Sequence, residues 1–154
     1  LAACSLALYP PAMISPLVLP WPPSSNTYYR SVSMGGGCRV ILSKRGREFR
    51  QEVIELLDSR FAEDEELREY LPLVDRLGVG IMLDPPTRRA FDVDNRAKAV
   101  LDALEHAGVY EDDGQIDSLT LTRGELFKGG RAIINFRSLP VRQQGARHEL
   151  HRAD

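Results

Sequence analysis

The sequence predicts a small α+β domain, a mixed β-sheet of four to five strands with two main helices. Three observations carry that expectation. Leu77 to Leu83 is an apolar run of strand length, closed by Pro85-Pro86. Phe49, Val53, Ile54, Leu56, Leu57 and Phe61 form an apolar stripe at helical spacing, as do Ala97, Val100, Leu101, Leu104 and Ala107. At 154 residues, with 43% hydrophobic and 27% charged residues, the chain fits one globular domain able to bury a core without staples.

Taken in order, residues 1–12 are apolar at first but lack a basic leader and are too short to span a membrane. Met13 is expected to be the natural start, which makes 1–12 an extension. Ser15 to Trp21 reads as a short strand, and Pro20-Trp21-Pro22-Pro23 confines its end to a sheet edge or loop. Ser24 to Arg30 mixes hydroxyls, an amide, two tyrosines and a guanidinium, a set suited to stacking on bases and holding phosphates, or to lining the rim of a core. Gly35-Gly36-Gly37 marks a turn tip, and Arg39 to Ser43 a second strand. A helix is expected from Lys44 to about Glu69, then the strand Leu77–Leu83. A second helix follows Asp94 and is closed by Gly108, with His106 as a surface residue in its last turn. Ser118 to Leu126 and Arg131 to Phe136 read as two strands of a hairpin-like pair joined by Phe127-Lys128-Gly129-Gly130. Residues 139–154 read as a flexible polar tail.

Charge is balanced overall, at −2, but unevenly placed. Residues 30–50 hold Arg30, Arg39, Lys44, Arg45, Arg47 and Arg50 against Glu48 alone, whereas 62–69 is strongly acidic. A basic segment in a near-neutral chain fits a localised phosphate-binding face. Cys4 and Cys38 make neither a metal spacing nor a disulfide framework, so a reducing cytoplasm is the expected compartment.

The chemistry concentrates in Phe91-Asp92-Val93-Asp94-Asn95-Arg96-Ala97-Lys98 and in Asp112-Asp113. If Asp92 and Asp94 lie in an extended segment, their side chains point the same way and can share a hard cation such as Mg²⁺. Asp94 stands where an N-cap would stand. Lys98, one turn on, should reach back over it. Read alone, the octet is more simply a capped helix start, with Arg96 and Lys98 on a solvated face. Arg96 and Ala97 stand where an EF-hand loop needs a ligand and its glycine, which argues against that motif.

The stretches Leu19–Arg30 (LPWPPSSNTYYR), Phe91–Leu104 (FDVDNRAKAVLDAL), Gly108–Ile116 (GVYEDDGQI) and Phe127–Arg131 (FKGGR) resemble, in order and spacing, the RusA family of Holliday-junction resolvases over residues 13–138. The Pro-Trp-Pro-Pro loop together with Asp-x-Asp-Asn and Asp-Asp-x-Gln is specific to that pattern. The resemblance implies a metal-dependent endodeoxyribonuclease whose three essential aspartates fall on Asp92, Asp94 and Asp113 and whose functional lysine falls on Lys98. It implies Mg²⁺, with Mn²⁺ able to substitute, a four-way DNA junction as partner, and neither a small-molecule cofactor nor a membrane. The two-fold symmetry of a junction favours a homodimer. The apolar interface is sought in Leu77–Leu83 or in the Ser118–Phe136 hairpin. Candidate DNA contacts are Asn26, Tyr29, Arg30, Lys44, Arg45, Arg88, Arg89, Lys128 and Arg131. Two other classes remain: a junction-binding protein with a degenerate site, and a phosphoesterase acting on small substrates in a closed pocket.

Overall fold

The computed structural model describes residues 16–140, so the expectations for residues 1–12 and for most of the C-terminal tail fall outside the described residues. The chain is built around strand β4 (Arg76–Asp84), whose residues Leu77, Val79, Ile81 and Leu83 are all buried. An apolar strand of this kind belongs inside a sheet, and β4 is hydrogen-bonded on both sides. It pairs antiparallel with β6 (Arg131–Leu139) and parallel with β5 (Ile116–Arg123), and β1 (Leu17–Pro20) adds to the far side of β6. The order β1-β6-β4-β5 puts β1, the proline-ended strand, at an edge.

This order corrects the expected hairpin. β5 and β6 lie on opposite sides of β4 and do not pair with each other. Their connection passes over the end of β4, where the Gly124 amide donates to the Leu83 carbonyl (2.8 Å) and the Phe127 amide to the Pro85 carbonyl (3.0 Å). The cause is the apolar character of β4, which leaves it no edge suited to solvent. For the same reason Leu77–Leu83 has no free edge to offer a second subunit.

Helix α2 (Lys44–Ala62) buries Phe49, Val53, Leu57 and Phe61, spaced four apart down one face. Ser43 caps it, its hydroxyl accepting from the Gly46 amide (2.9 Å). The expected single helix to Glu69 ends early, and a short helix α3 (Glu65–Glu69) follows with Asp64 as its cap. Helix α4 (Asp94–His106) joins β4 to β5, making a β-α-β crossover. It buries Ala97, Ala99, Val100, Ala103 and Leu104 and is followed by Gly108 at φ +77°, the left-handed conformation that glycine adopts without steric cost.

A separate antiparallel ribbon stands off this sheet. The one-turn helix α1 (Ser25–Tyr28) runs into β2 (Tyr29–Met34), which pairs with β3 (Gly37–Leu42) through the two-residue turn Gly35-Gly36. Both turn glycines have positive φ (+52° and +94°), the backbone of a type I′ hairpin. The sequence reading anticipated the turn and much of β3 but not β2. Among the described residues no helix is long and apolar enough to cross a membrane.

Candidate active site

The segment carrying Asp92 is fixed by an aromatic–guanidinium stack. Trp21 meets Phe91 edge-on with ring centroids 5.2 Å apart, and the Arg96 guanidinium lies over both, 4.5 Å from the first centroid and 5.5 Å from the second. Arg96 also donates to the Pro22 carbonyl. Burial pulls the Arg96 pKa below its ordinary value. Arg123 covers Phe91 at 4.1 Å while donating to its carbonyl at 2.7 Å. Trp21 therefore serves as packing for the acidic loop. Trp21 and Tyr29 are partly buried against the core, as the rim-of-core alternative expected, while Tyr28 lies fully inside it.

The extended pair of aspartates is not found. Val93 is already helical (φ −65°, ψ −38°) and occupies the N-cap position, so Asp94 is the first residue of α4 and makes no capping bond. Asp92 and Asp94 are both exposed, and no hydrogen bond or ion pair engages either carboxylate among the described residues. Their oxygens are open to a ligand, and Asp94 lies at the positive end of the helix.

Asp113 reaches the site from the other end of the crossover. It opens a single 3₁₀ turn, Asp113–Gln115, held by a capping box. The Asp112 carboxylate accepts from the Gly114 amide (2.6 Å), and the Gln115 side-chain oxygen accepts from the Asp112 amide (2.9 Å). The Gln115 side-chain nitrogen donates to the Leu73 and Asp75 carbonyls at 2.9 and 3.0 Å, tying the turn to the start of β4. Asp112 is thus occupied in holding the turn, while Asp113 faces Lys98, with Nζ 3.3 Å from Oδ2.

Lys98 does not reach back over Asp94 as expected. Its ammonium reaches forward to Asp102 (2.7 Å) as well as to Asp113, because a half-buried carboxylate four residues on outweighs the intrinsic lean of a helical side chain. The hydrogen bond to Asp102 is the main reason the Lys98 pKa rises above its ordinary value, so the ammonium stays charged. The second oxygen of Asp102 accepts from the Tyr29 hydroxyl. Burial first, and Asp102 second, push Tyr29 up to about 12 and keep it a donor. Asp102 was missed in the sequence, although its i,i+4 spacing from Lys98 is a legible signal.

The remaining predicted contacts divide. Asn26, Tyr29 and Arg30 line a shallow cavity of about 360 Å³ with Ser25, Ser31 and Val40. Ser25 donates to the Asn95 carbonyl (3.0 Å), which places this segment beside the start of α4. Arg45, Arg88, Arg89 and Lys128 are exposed, and Lys44 makes only a loose pair with Glu48 at 3.7 Å. Arg131 is held otherwise: its Nε lies 2.7 Å from the buried Asp84, and its guanidinium stacks on Phe127 at 4.0 Å.

The donor set suits a hard divalent cation, since unpaired carboxylate oxygens are what Mg²⁺ prefers. Among the described residues, however, no three acidic, histidine or cysteine side chains converge closely enough to hold a metal together. Mg²⁺ is commonly bound by one or two carboxylates, with waters and substrate phosphates completing the shell, and Asp92 and Asp94 fit that partial role.

Open acids at the start of a crossover helix, an ammonium held on a further acid and an arginine-bearing ribbon make an open, charged surface rather than a closed cleft. Comparison with known proteins narrows this. The family model described as endodeoxyribonuclease RusA matches residues 20–135, and the chain belongs to that family. The crossover junction endodeoxyribonuclease RusA of Enterobacteria phage HK97 is 35% identical over 122 residues, covering 79% of this chain and 92% of the relative. Proteins of the same name from Escherichia coli K12 and Enterobacteria phage 82 are each 33% identical over 115 residues, covering 75% of this chain and 87% of the relative.

Proposed function

We propose that this chain is a structure-specific endonuclease that resolves four-way DNA junctions by paired, symmetric, Mg²⁺-dependent nicks. The observation that carries the proposal is the Lys98 ammonium held 3.3 Å from Asp113 on the helix whose first turn presents the free carboxylate of Asp94. The names of the relatives supply the substrate class. All three acids are exposed, which suits a polymer laid across a surface better than a small substrate needing a pocket.

Asp92 and Asp94 would hold Mg²⁺, with Mn²⁺ able to substitute and with water and substrate phosphate completing the shell, while Asp113, paired to Lys98, would border the ion rather than join those two as a third convergent ligand. Bound there, the ion would supply charge to polarise a phosphodiester and lower the pKa of an attacking water. Lys98 stabilises negative charge that develops on the phosphoryl oxygens, and its fixed position avoids reorganisation at the moment of reaction. The Trp21–Phe91–Arg96 stack keeps Asp92 in place while DNA is engaged. The β2–β3 ribbon carries Arg30 and Arg39 on one face and, with Lys44, Arg45, Arg88 and Arg89, gives the phosphate-binding surface.

One chain offers one such site, whereas a junction must be cut on two strands related by a two-fold axis, so the active form is a C₂ homodimer. Since β4 is internal, the Ser118–Phe136 span is the better interface candidate, with Leu119, Leu126 and Phe127 each more than 40% exposed. The test is a nicking assay on a synthetic four-way junction with and without Mg²⁺. Paired nicks at symmetric positions, dependent on the ion, are expected. Tight junction binding with no cleavage under any divalent ion would replace the proposal with a non-cleaving binder.

A further inference from the structure

We infer that Asp102 is the positioning residue that holds the Lys98 ammonium against Asp113. Its catalytic meaning rests on the nuclease reading above, while its geometry stands independently. Asp102 lies one turn beyond Lys98 on α4, and its side chain is 13% exposed against 51% for Lys98, so the carboxylate is the fixed partner and the lysine the one held. Its two oxygens are divided. One lies 2.7 Å from Lys98 Nζ and the other accepts from the Tyr29 hydroxyl. Tyr29 is itself braced, packing edge-on against the buried Tyr28 with centroids 4.8 Å apart. The chain of contacts Tyr29–Asp102–Lys98–Asp113 therefore runs from a core-anchored ring to the edge of the acidic site.

The same protein supplies a contrast. Lys44 and Glu48 are also spaced i,i+4, but they sit 3.7 Å apart with side chains 85% and 52% exposed and, among the described residues, with no third group holding the acid. That pair is an ordinary solvated one. The Asp102 pair is shorter, more buried and oriented by a tyrosine. Because Tyr29 also opens β2, one carboxylate joins the base of the arginine-bearing ribbon to the functional lysine. The contacts of Asp102 are to Lys98 and Tyr29, so it acts through Lys98.

Two measurements test this. In the first, the order of lysine side-chain ammonium groups is measured by NMR on the wild-type chain and on Asp102→Asn. Lys98 should be more ordered than Lys44 in the wild type and fall to the level of Lys44 in the variant. A wild-type Lys98 as mobile as Lys44, or an unchanged Lys98 in a folded Asp102→Asn, overturns the inference. In the second, single-turnover nicking is compared across Asp102→Asn, Lys98→Ala and the double variant at saturating protein. Asp102→Asn should lose roughly tenfold or more in rate, as expected for misplacement of a catalytic group, with junction affinity unchanged. It should cost nothing further in the Lys98→Ala background. Full additive loss in that background would show that Asp102 acts independently of Lys98 and would also overturn the inference. A wild-type chain that nicks no junction counts against the nuclease reading alone, and the NMR comparison still decides the position of Lys98.

Discussion

Replacing Arg131 with alanine should cost folding stability rather than DNA contacts. Asp84 is 4% exposed at the end of β4, and its carboxylate is held by Arg131 Nε at 2.7 Å. It has little room to escape toward the neighbouring loop, because a Cβ built on Gly124 would lie 1.8 Å from Asp84 Oδ1. Breaking a buried ion pair by removing one partner costs about 3–5 kcal/mol, since the other charge is left uncompensated. The Arg131 side chain is 34% exposed, so water can reach part of the site and the lower end applies, about 3 kcal/mol. For a domain of this length each kcal/mol moves Tm by roughly 2–4 °C, giving a fall of about 6–12 °C by calorimetry or circular dichroism. Asp84→Asn combined with Arg131→Ala should recover part of that loss, because no buried charge remains. Gly124→Ala should also destabilise, by steric conflict with the same carboxylate. The reasoning is refuted if Arg131→Ala melts with the wild type while its junction affinity and salt slope drop, for Arg131 would then be a DNA contact as its sequence position implied.

Asp92→Asn, Asp94→Asn and Asp113→Asn should each retain junction binding in a gel shift yet lose most cleavage, because they remove ligand charge and not the DNA-facing surface; binding that collapses together with cleavage in all three would reassign them to folding. Junction affinity should fall steeply with salt, and neutralising any of Arg30, Arg39, Lys44, Arg45, Arg88 or Arg89 that contacts a phosphate should reduce the log–log slope by about one unit; unchanged slopes across the set would place the DNA face elsewhere. Light scattering over a concentration series should give about twice the 17.2 kDa chain mass; a micromolar monomer that still makes paired symmetric nicks would sink the dimer argument.

What the sequence made legible follows from how local each signal is. The α2 and α4 stripes and the apolar run of β4 are patterns within single elements, and the structure has them apart from Leu56, which faces outward from α2 at 38% exposure. β2 was hidden because Tyr29–Met34 is rich in hydroxyls and lies on a ribbon that buries little, so no alternation marks it. The direction of Lys98 was misjudged because two local rules compete, the lean toward the helix N-terminus and the pull of an acid at i+4. Only the partial burial of Asp102 and its contact with Tyr29, which are tertiary facts, decide between them. Asp84 is indistinguishable in sequence from any surface aspartate at a strand end. The importance of Arg131 to the fold was invisible for the same reason.

The misread pairing of β5 has the largest functional consequence. A β5–β6 hairpin would have left the position of Asp113 unconstrained relative to α4. Because β5 instead runs parallel to β4, the chain leaving α4 must travel back to the start of β4 before β5 can begin. That return is visible in its contacts: Leu73 bridges Tyr110 in parallel, the Leu73 amide donates to the Val109 carbonyl at 2.9 Å, and Gln115 is tied to Leu73 and Asp75. The return path lies against α4, so the turn that starts β5 presents Asp113 to the helix and to Lys98. Asp92 enters from the other connection of the same crossover, fixed by Phe91 in its aromatic stack. One β-α-β unit therefore brings in both acidic connections and the lysine between them. The spacing of about twenty residues between the Asp92/Asp94 pair and Asp113 is the length of chain needed for one crossover helix and its return.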